Sequence, residues 1–150
     1  MVELKLSTRA KYGLQAMVCL AQRDASTPMS VRDIAAQELL PEHYLEQIIT
    51  PLRKAGLVES IRGAQGGYRL ARAAETVTVL EVIEALDGPL DPAGCCEQVA
   101  EPGDDEGWLT ALVWRPLRDA MRAFFGARSL QDLVEQAAQM EGTRKPIYYI

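Results

Sequence analysis

Apolar positions recur at helical spacing along most of the chain and give way to strand-like segments at one place only. Leu14, Met17, Val18 and Ala21 fall at the i, i+3, i+4, i+7 spacing of one helix face. Ser7, whose side-chain oxygen can accept an orphan backbone N–H, sets the start of this first helix, which is expected to run toward Gln22 with Cys19 as a small core residue. The segment 23–29 (RDASTPM) reads as a turn-rich loop. Ser30, with Asp33 three residues on, opens a short second helix from Val31 to about Gln37, followed by the brief connection Glu38-Leu39-Leu40. Pro41 suits the first position of a third helix, because its missing N–H is not needed there. That helix runs to about Ala55 with Leu45, Ile48, Ile49 and Leu52 inward. Pro51 predicts a kink or a short break in its last turn, and Gly56 a stop.

The change of period comes next. Leu57 to Arg62 reads as a strand, Gly63-Ala64-Gln65-Gly66-Gly67 as a tight turn, and Tyr68-Arg69-Leu70 as a returning strand. Two short helices joined by a tight turn make a helix-turn-helix, and a hairpin directly after the second helix is a wing. The glycines permit positive φ and close approach of the backbone to a phosphate, and Arg62 and Arg69 flank the turn where a minor groove would lie.

Thr78 with Glu81 forms a capping box for a helix whose inner face is Val79, Val82, Ile83 and Leu86, ended by Gly88-Pro89. Residues 88–106 are rich in Gly, Pro and acid and read as a mobile loop. The helix beyond carries Leu109, Leu112, Val113, Leu117, Met121, Phe124 and Phe125, more apolar surface than a small head needs, with Pro116 kinking it or marking a new start. This surplus assigns Leu109, Leu112, Val113, Leu117, Met121 and Phe124 to dimerisation. Ser129 and Asp132 cap a final helix with Leu130, Leu133, Val134 and Ala137 inward, and Gly142-Thr143 is expected to end it. The expected fold is mainly α with a small β-hairpin wing: a winged helix-turn-helix plus a long dimerisation helix. Its parts are a DNA-binding domain over 1–88, an acidic Gly/Pro loop over 89–106, and the dimerisation helix, final helix and apolar tail over 107–150.

Charge changes the picture in one respect. The net charge of −5 argues against nucleic acid. Residues 1–72, however, hold ten Lys/Arg against seven Asp/Glu, a net of +3, and residues 73–150 hold six against fourteen, a net of −8. The front half is thus the phosphate-facing half. With 48% hydrophobic and 25% charged residues the chain is an ordinary globular one. It has no apolar run long enough to span a bilayer and no signal-peptide core, so a cytoplasmic protein without a membrane partner is expected. No Ser-His-Asp set and no Gly-rich phosphate loop is present, which speaks against an enzyme.

The segments LSTRAKYGLQAM, YLEQIITPLRKAGLVESIRGAQGGYRLAR and TVLEVIEALDGPL, in this order and spacing, resemble the Rrf-two family of bacterial regulators of the IscR, NsrR and CymR type, over about residues 4–90. The resemblance implies a homodimeric winged-helix regulator, a repressor by first expectation, on near-palindromic double-stranded operator DNA. It places His43, Tyr44, Glu46 and Gln47 on the recognition helix. There Gln47 can pair with adenine, Glu46 can accept from a cytosine amino group, and His43 can donate to a base or phosphate. The matching wing residues are Arg62, Gln65, Gly66, Gly67 and Tyr68, with Tyr68 packing the wing onto the body. Lys5, Arg9 and Lys11 are candidate phosphate contacts.

Several members of the family hold an iron–sulfur cluster through three spaced cysteines after the GPL segment and one further ligand. Here Cys95 and Cys96 are adjacent, no third cysteine or histidine follows, and Lys11 stands where an acidic ligand from the first helix would be. No cofactor and no metal ligand is therefore expected, the alternative being an iron–sulfur or thiol-based redox sensor that uses Cys95 and Cys96. Two sensing schemes stay open: oxidation or alkylation of Cys95 or Cys96, whose acidic neighbours disfavour the thiolate, or a protein or metabolite signal. The ending Lys145-Pro146-Ile147-Tyr148-Tyr149-Ile150 resembles that of serine acetyltransferases, whose terminal isoleucine docks in cysteine synthase, an enzyme that CymR-type regulators partner. Tyr148, Tyr149 and Ile150 are thereby a candidate docking tail, with folding back onto the helices as the other reading.

Overall fold

The computed structural model describes residues 6–24, 26–92 and 107–148, the side chains from 142 onward excepted. Lys5, Cys95, Cys96, Tyr149 and Ile150, and the side chain of Tyr148, lie outside the described residues. Three helices come first: α1 (Thr8–Ala21), α2 (Val31–Glu38) and α3 (Glu42–Lys54). Each of the first two starts as its sequence dictates. The Ser7 and Ser30 hydroxyl oxygens accept the N–H groups of Ala10 and Asp33, both at 3.0 Å, and so satisfy donors that the first turn leaves open. Pro41 is the N-cap of α3 rather than its first residue. Helix α3 continues through Pro51 without a break, with Leu45, Ile48, Ile49 and Leu52 buried as the spacing requires.

The antiparallel strands β1 (Val58–Ile61) and β2 (Gly67–Leu70) follow, in the register Val58 opposite Leu70 and Ile61 opposite Gly67. After a 3-10 turn at Ala74–Thr76 comes α4 (Val79–Asp87), opened by the reciprocal capping box of Thr78 and Glu81. Helix α5 (Gly107–Leu109) passes through a π turn at Thr110–Trp114 into α6 (Arg115–Gly126). Pro116 lies at the start of α6 directly after the π turn, and the backbone stays helical on both sides of it. Helix α7 (Leu130–Tyr148) begins with a second reciprocal cap, Ser129 with Asp132. None of the described helices is long and apolar enough to cross a membrane.

Two expectations need correction. The buried side of α1 is Ala10, Gly13, Ala16, Met17, Cys19 and Leu20, while Leu14, Val18 and Ala21 are only half-buried. Small residues face inward because α4 lies close, and Leu86 occupies the space a side chain at Gly13 would need. Helix α7 does not end at Gly142-Thr143 but runs on to Tyr148. One glycine lowers helix propensity by only about 1 kcal/mol, and each further residue adds a hydrogen bond, so glycine alone does not stop a helix. The brief connection between α2 and α3 at 38–40 is as expected.

There Leu39 adopts the left-handed conformation, φ 56° and ψ 45°, with 90% of its surface exposed. A leucine in this region is strained by its Cβ, and glycine is the usual solution. Leu39→Gly should therefore raise stability by about 0.5–1 kcal/mol, while Leu39→Ile should lower it. A urea midpoint that falls in the glycine variant would rule out strain at this turn.

The core is built around α1. One buried cluster joins Met17, Met29, Ile34, Leu45, Ile48, Leu52, Val82 and Leu130, and a second joins Val79, Ile83 and Leu90 with Met121, Phe125 and Leu133 packed against it. The C-terminal helices are thus locked to the head. The Leu130 N–H donates to the Val77 carbonyl at 2.9 Å and the Val79 N–H to the Arg128 carbonyl at 2.9 Å. Arg122 on α6 meets Glu84 on α4 at 2.6 Å.

Candidate nucleic-acid interface

Burial of Leu45, Ile48, Ile49 and Leu52 turns the other side of α3 outward. Glu42, His43, Glu46, Gln47, Thr50, Arg53 and Lys54 are all exposed. The side chains of His43, Glu46 and Gln47 make no hydrogen bond among the described residues, and the Thr50 hydroxyl donates to the Glu46 carbonyl at 3.3 Å. This is a polar helix face with spare donors and acceptors, carried by the second helix of a helix-turn-helix. Acid in the first turn (Glu42) and base in the last (Arg53, Lys54) also suit the helix dipole. Thr50, Arg53 and Lys54 share this exposed side of α3, and their spacing from Gln47 opposite the buried leucines is a signal the sequence already carries; Arg32, exposed on α2, has no such signal.

Tyr44 stands apart from its neighbours. It is half-buried against the core, and its ring meets that of Tyr12 edge-on with centroids 5.6 Å apart. It braces α3 on α1 rather than facing outward.

The wing presents Arg62, Gly63, Ala64 and Gln65 to solvent. Its turn closes with the Gly66 N–H donating to the Gly63 carbonyl at 3.0 Å. Gly66 and Gly67 serve the protein itself. A side chain at Gly66 would collide with the Ile61 carbonyl, and one at Gly67, where φ is 153°, with the Met29 carbonyl. The reason is a backbone bridge: Met29 N–H donates to Tyr68 O at 2.9 Å and Tyr68 N–H to Met29 O at 2.7 Å. This bridge ties the wing to the residue just before the cap of α2, and Tyr68 packs against the core as expected.

Two of the candidate cations are engaged within the fold. Arg9 donates to the Leu86 carbonyl at 2.8 Å, at the end of α4, a favourable place for a positive charge. Arg69 donates its Nε–H to Glu59 across the hairpin at 2.5 Å. Lys11 is exposed on α1. The outward-facing candidates are thus His43, Glu46 and Gln47 from α3, Arg62 and Gln65 from the wing, and Lys11 from α1.

Comparison with known proteins settles the family. The profile of the Rrf2 family, described as an iron-dependent transcriptional regulator, matches residues 6–136. The chain belongs to the Rrf2 family. It is 40% identical over 142 residues to the HTH-type transcriptional regulator CymR of Bacillus subtilis (strain 168), covering 91% of this chain and 98% of that protein. It is 36% identical over 132 residues to the regulator IscR of Xenorhabdus nematophila, covering 88% and 80%. Among solved structures, that of CymR, titled the global cysteine regulator of B. subtilis, superposes with a TM-score of 0.74 at 39% identity, covering 88% of this chain and 97% of that one. Winged-helix architecture and DNA-binding transcription regulation follow for this chain, and its relatives are named as regulators rather than enzymes.

The iron dependence of the family finds no ligand set among the described residues. No group of three or more His, Cys, Asp or Glu side chains there could hold a metal ion. His43 is exposed on α3. Cys19 is fully buried beside Met29, and burial, aided by the charge of Glu38, pushes its thiol up to about 11, away from the thiolate that ligates metal.

Proposed function

We propose that this chain is a homodimeric repressor that reads a two-fold symmetric operator through α3 and the wing, needs no iron–sulfur cluster to do so, and serves sulfur or cysteine metabolism. The observation that carries the DNA reading is the outward face of α3, where Glu46 and Gln47 stand exposed and unbonded among the described residues. Carboxamide and carboxylate groups in that state are suited to adenine and cytosine edges in a major groove. Arg62, exposed at the wing, supplies the charge for phosphate or minor groove. Dimerisation is supported by the exposed apolar side of α5–α6, and the metabolic role by the 40% identity to CymR. Docking of the tail into cysteine synthase would have to use residues beyond Tyr148, since the backbone is helical up to that residue.

Selection from random duplexes, with chelator-treated and colourless protein, should return a palindromic site. Gln47→Ala and Glu46→Ala should each relax base preference at one position by about 1–3 kcal/mol. Arg62→Ala should weaken binding and reduce its salt dependence. Operator recognition that appears only after iron and sulfide are restored would overturn the cluster-free reading. Unchanged affinity and specificity in all three variants would remove α3 and the wing from the interface.

A further inference from the structure

A cleft of about 650 Å³ opens beside the strands of the wing. It lies between the end of α1 with its following loop and strand β2 with the turn after it. Its size is within the roughly 300–1,000 Å³ usual for small-molecule sites. Several of its lining groups have bonding capacity that the fold does not use, the Ser26 and Thr27 hydroxyls and one Glu59 oxygen among them. The Arg23 guanidinium and the Glu75 carboxylate make no hydrogen bond or ion pair among the described residues. Arg69 spends only its Nε–H, on Glu59, and Asp24 accepts one bond, from the Ser26 N–H at 3.1 Å. Leu70 and Ala74 add an apolar wall.

We propose that this cleft binds a small zwitterion of the free α-amino acid class and that its occupancy alters the wing. A plain anion would meet Asp24 and Glu75, and a plain cation would meet Arg23 and Arg69. A molecule with both charges satisfies both pairs. The planar guanidinium fork matches a carboxylate, and the carboxylates accept from an ammonium group. A short side chain has Leu70 and Ala74 to rest on.

Position gives the site its consequence. The loop that carries Arg23 and Asp24 leads to Met29, and β2 carries Arg69 next to Tyr68. Met29 and Tyr68 exchange both backbone hydrogen bonds, so the loop and the wing are joined at that point. A ligand that spans the loop and the strand stabilises one arrangement of the wing over others, and DNA affinity shifts by that difference. The coupling rests on the wing's contact with DNA proposed above; the binding itself does not.

Calorimetric titration of the intact protein with a panel of free L-amino acids tests the site. At least one should bind saturably, and Arg23→Ala and Glu75→Gln should each weaken it about tenfold or more. The matched amine lacking the carboxylate and the acid lacking the amino group should bind correspondingly less well. No saturable binding by any amino acid, full binding in either variant, or full binding by either truncated compound overturns the zwitterion site. Operator affinity is then measured without and with the bound amino acid. A change supports the coupling and equal affinities dismiss it, whereas lack of operator binding by the free protein is a failure of the DNA reading alone.

Discussion

Replacing Leu112 and Phe124 together by glutamate should yield monomers and lower operator affinity by about 100-fold or more, because two half-sites then no longer act as one. Helix α6 and the turns before it are apolar on two sides. Inward, Met121 and Phe125 pack against Val79, Ile83 and Leu90. Outward, Leu112 is 70% exposed and Phe124 54%, and Pro116, Ala120 and Ala123 are exposed along the same helix. An outward stripe of this kind is what a partner subunit covers, and charge within it is strongly unfavourable once desolvated. Met121 lies on the inward side, so substituting it would damage the fold of one chain and confound the outcome. Sedimentation velocity checks the assembly and operator titration checks the consequence. An intact dimer in the double variant would exclude this face as the interface.

Gly67→Ala should destabilise the protein by about 3 kcal/mol. Two effects add: φ at this position is one that side-chain-bearing residues rarely adopt, and the new Cβ meets the Met29 carbonyl and the Ser30 nitrogen. Both obstacles are backbone at the start of α2, so relief requires parting the wing from the helix-turn-helix. Gly63→Ala is the matched control, since φ there is also positive but nothing lies within 4 Å. It should cost about 1 kcal/mol, the backbone strain alone. Urea midpoints and amide exchange at Met29 and Tyr68 measure the effect. An unchanged midpoint with full protection at both amides would show that the bridge tolerates a side chain.

Much of the candidate site is legible in the sequence, and for one reason. The apolar spacing of α3 dictates which side is buried, and the remaining side then has to carry His43, Glu46 and Gln47 outward. The hairpin was equally plain, since its glycines and the alternation around them are local signals. Tyr44 shows where this logic stops. It occupies the flank of the helix, and only the presence of Tyr12 across the gap makes it a brace.

Cap residues, helix periods and the placement of the wing after α3 were determined by the sequence itself, because each depends on groups within about four residues of one another. Ser7, Ser30, Thr78 and Ser129 all cap as their chemistry requires. Partners far apart in the chain were decided only by the tertiary structure. Arg9 finds the Leu86 carbonyl 77 residues away, and Gly67 is fixed by the backbone of Met29 rather than by a phosphate. The apolar residues of α6 and the π turn before it divide between Met121 and Phe125 facing α4 and Leu112 and Phe124 facing solvent, a division that a shared hydrophobic pattern does not encode. Hydrophobic burial is non-directional, so the pattern states how much surface must leave water, and packing alone decides against what.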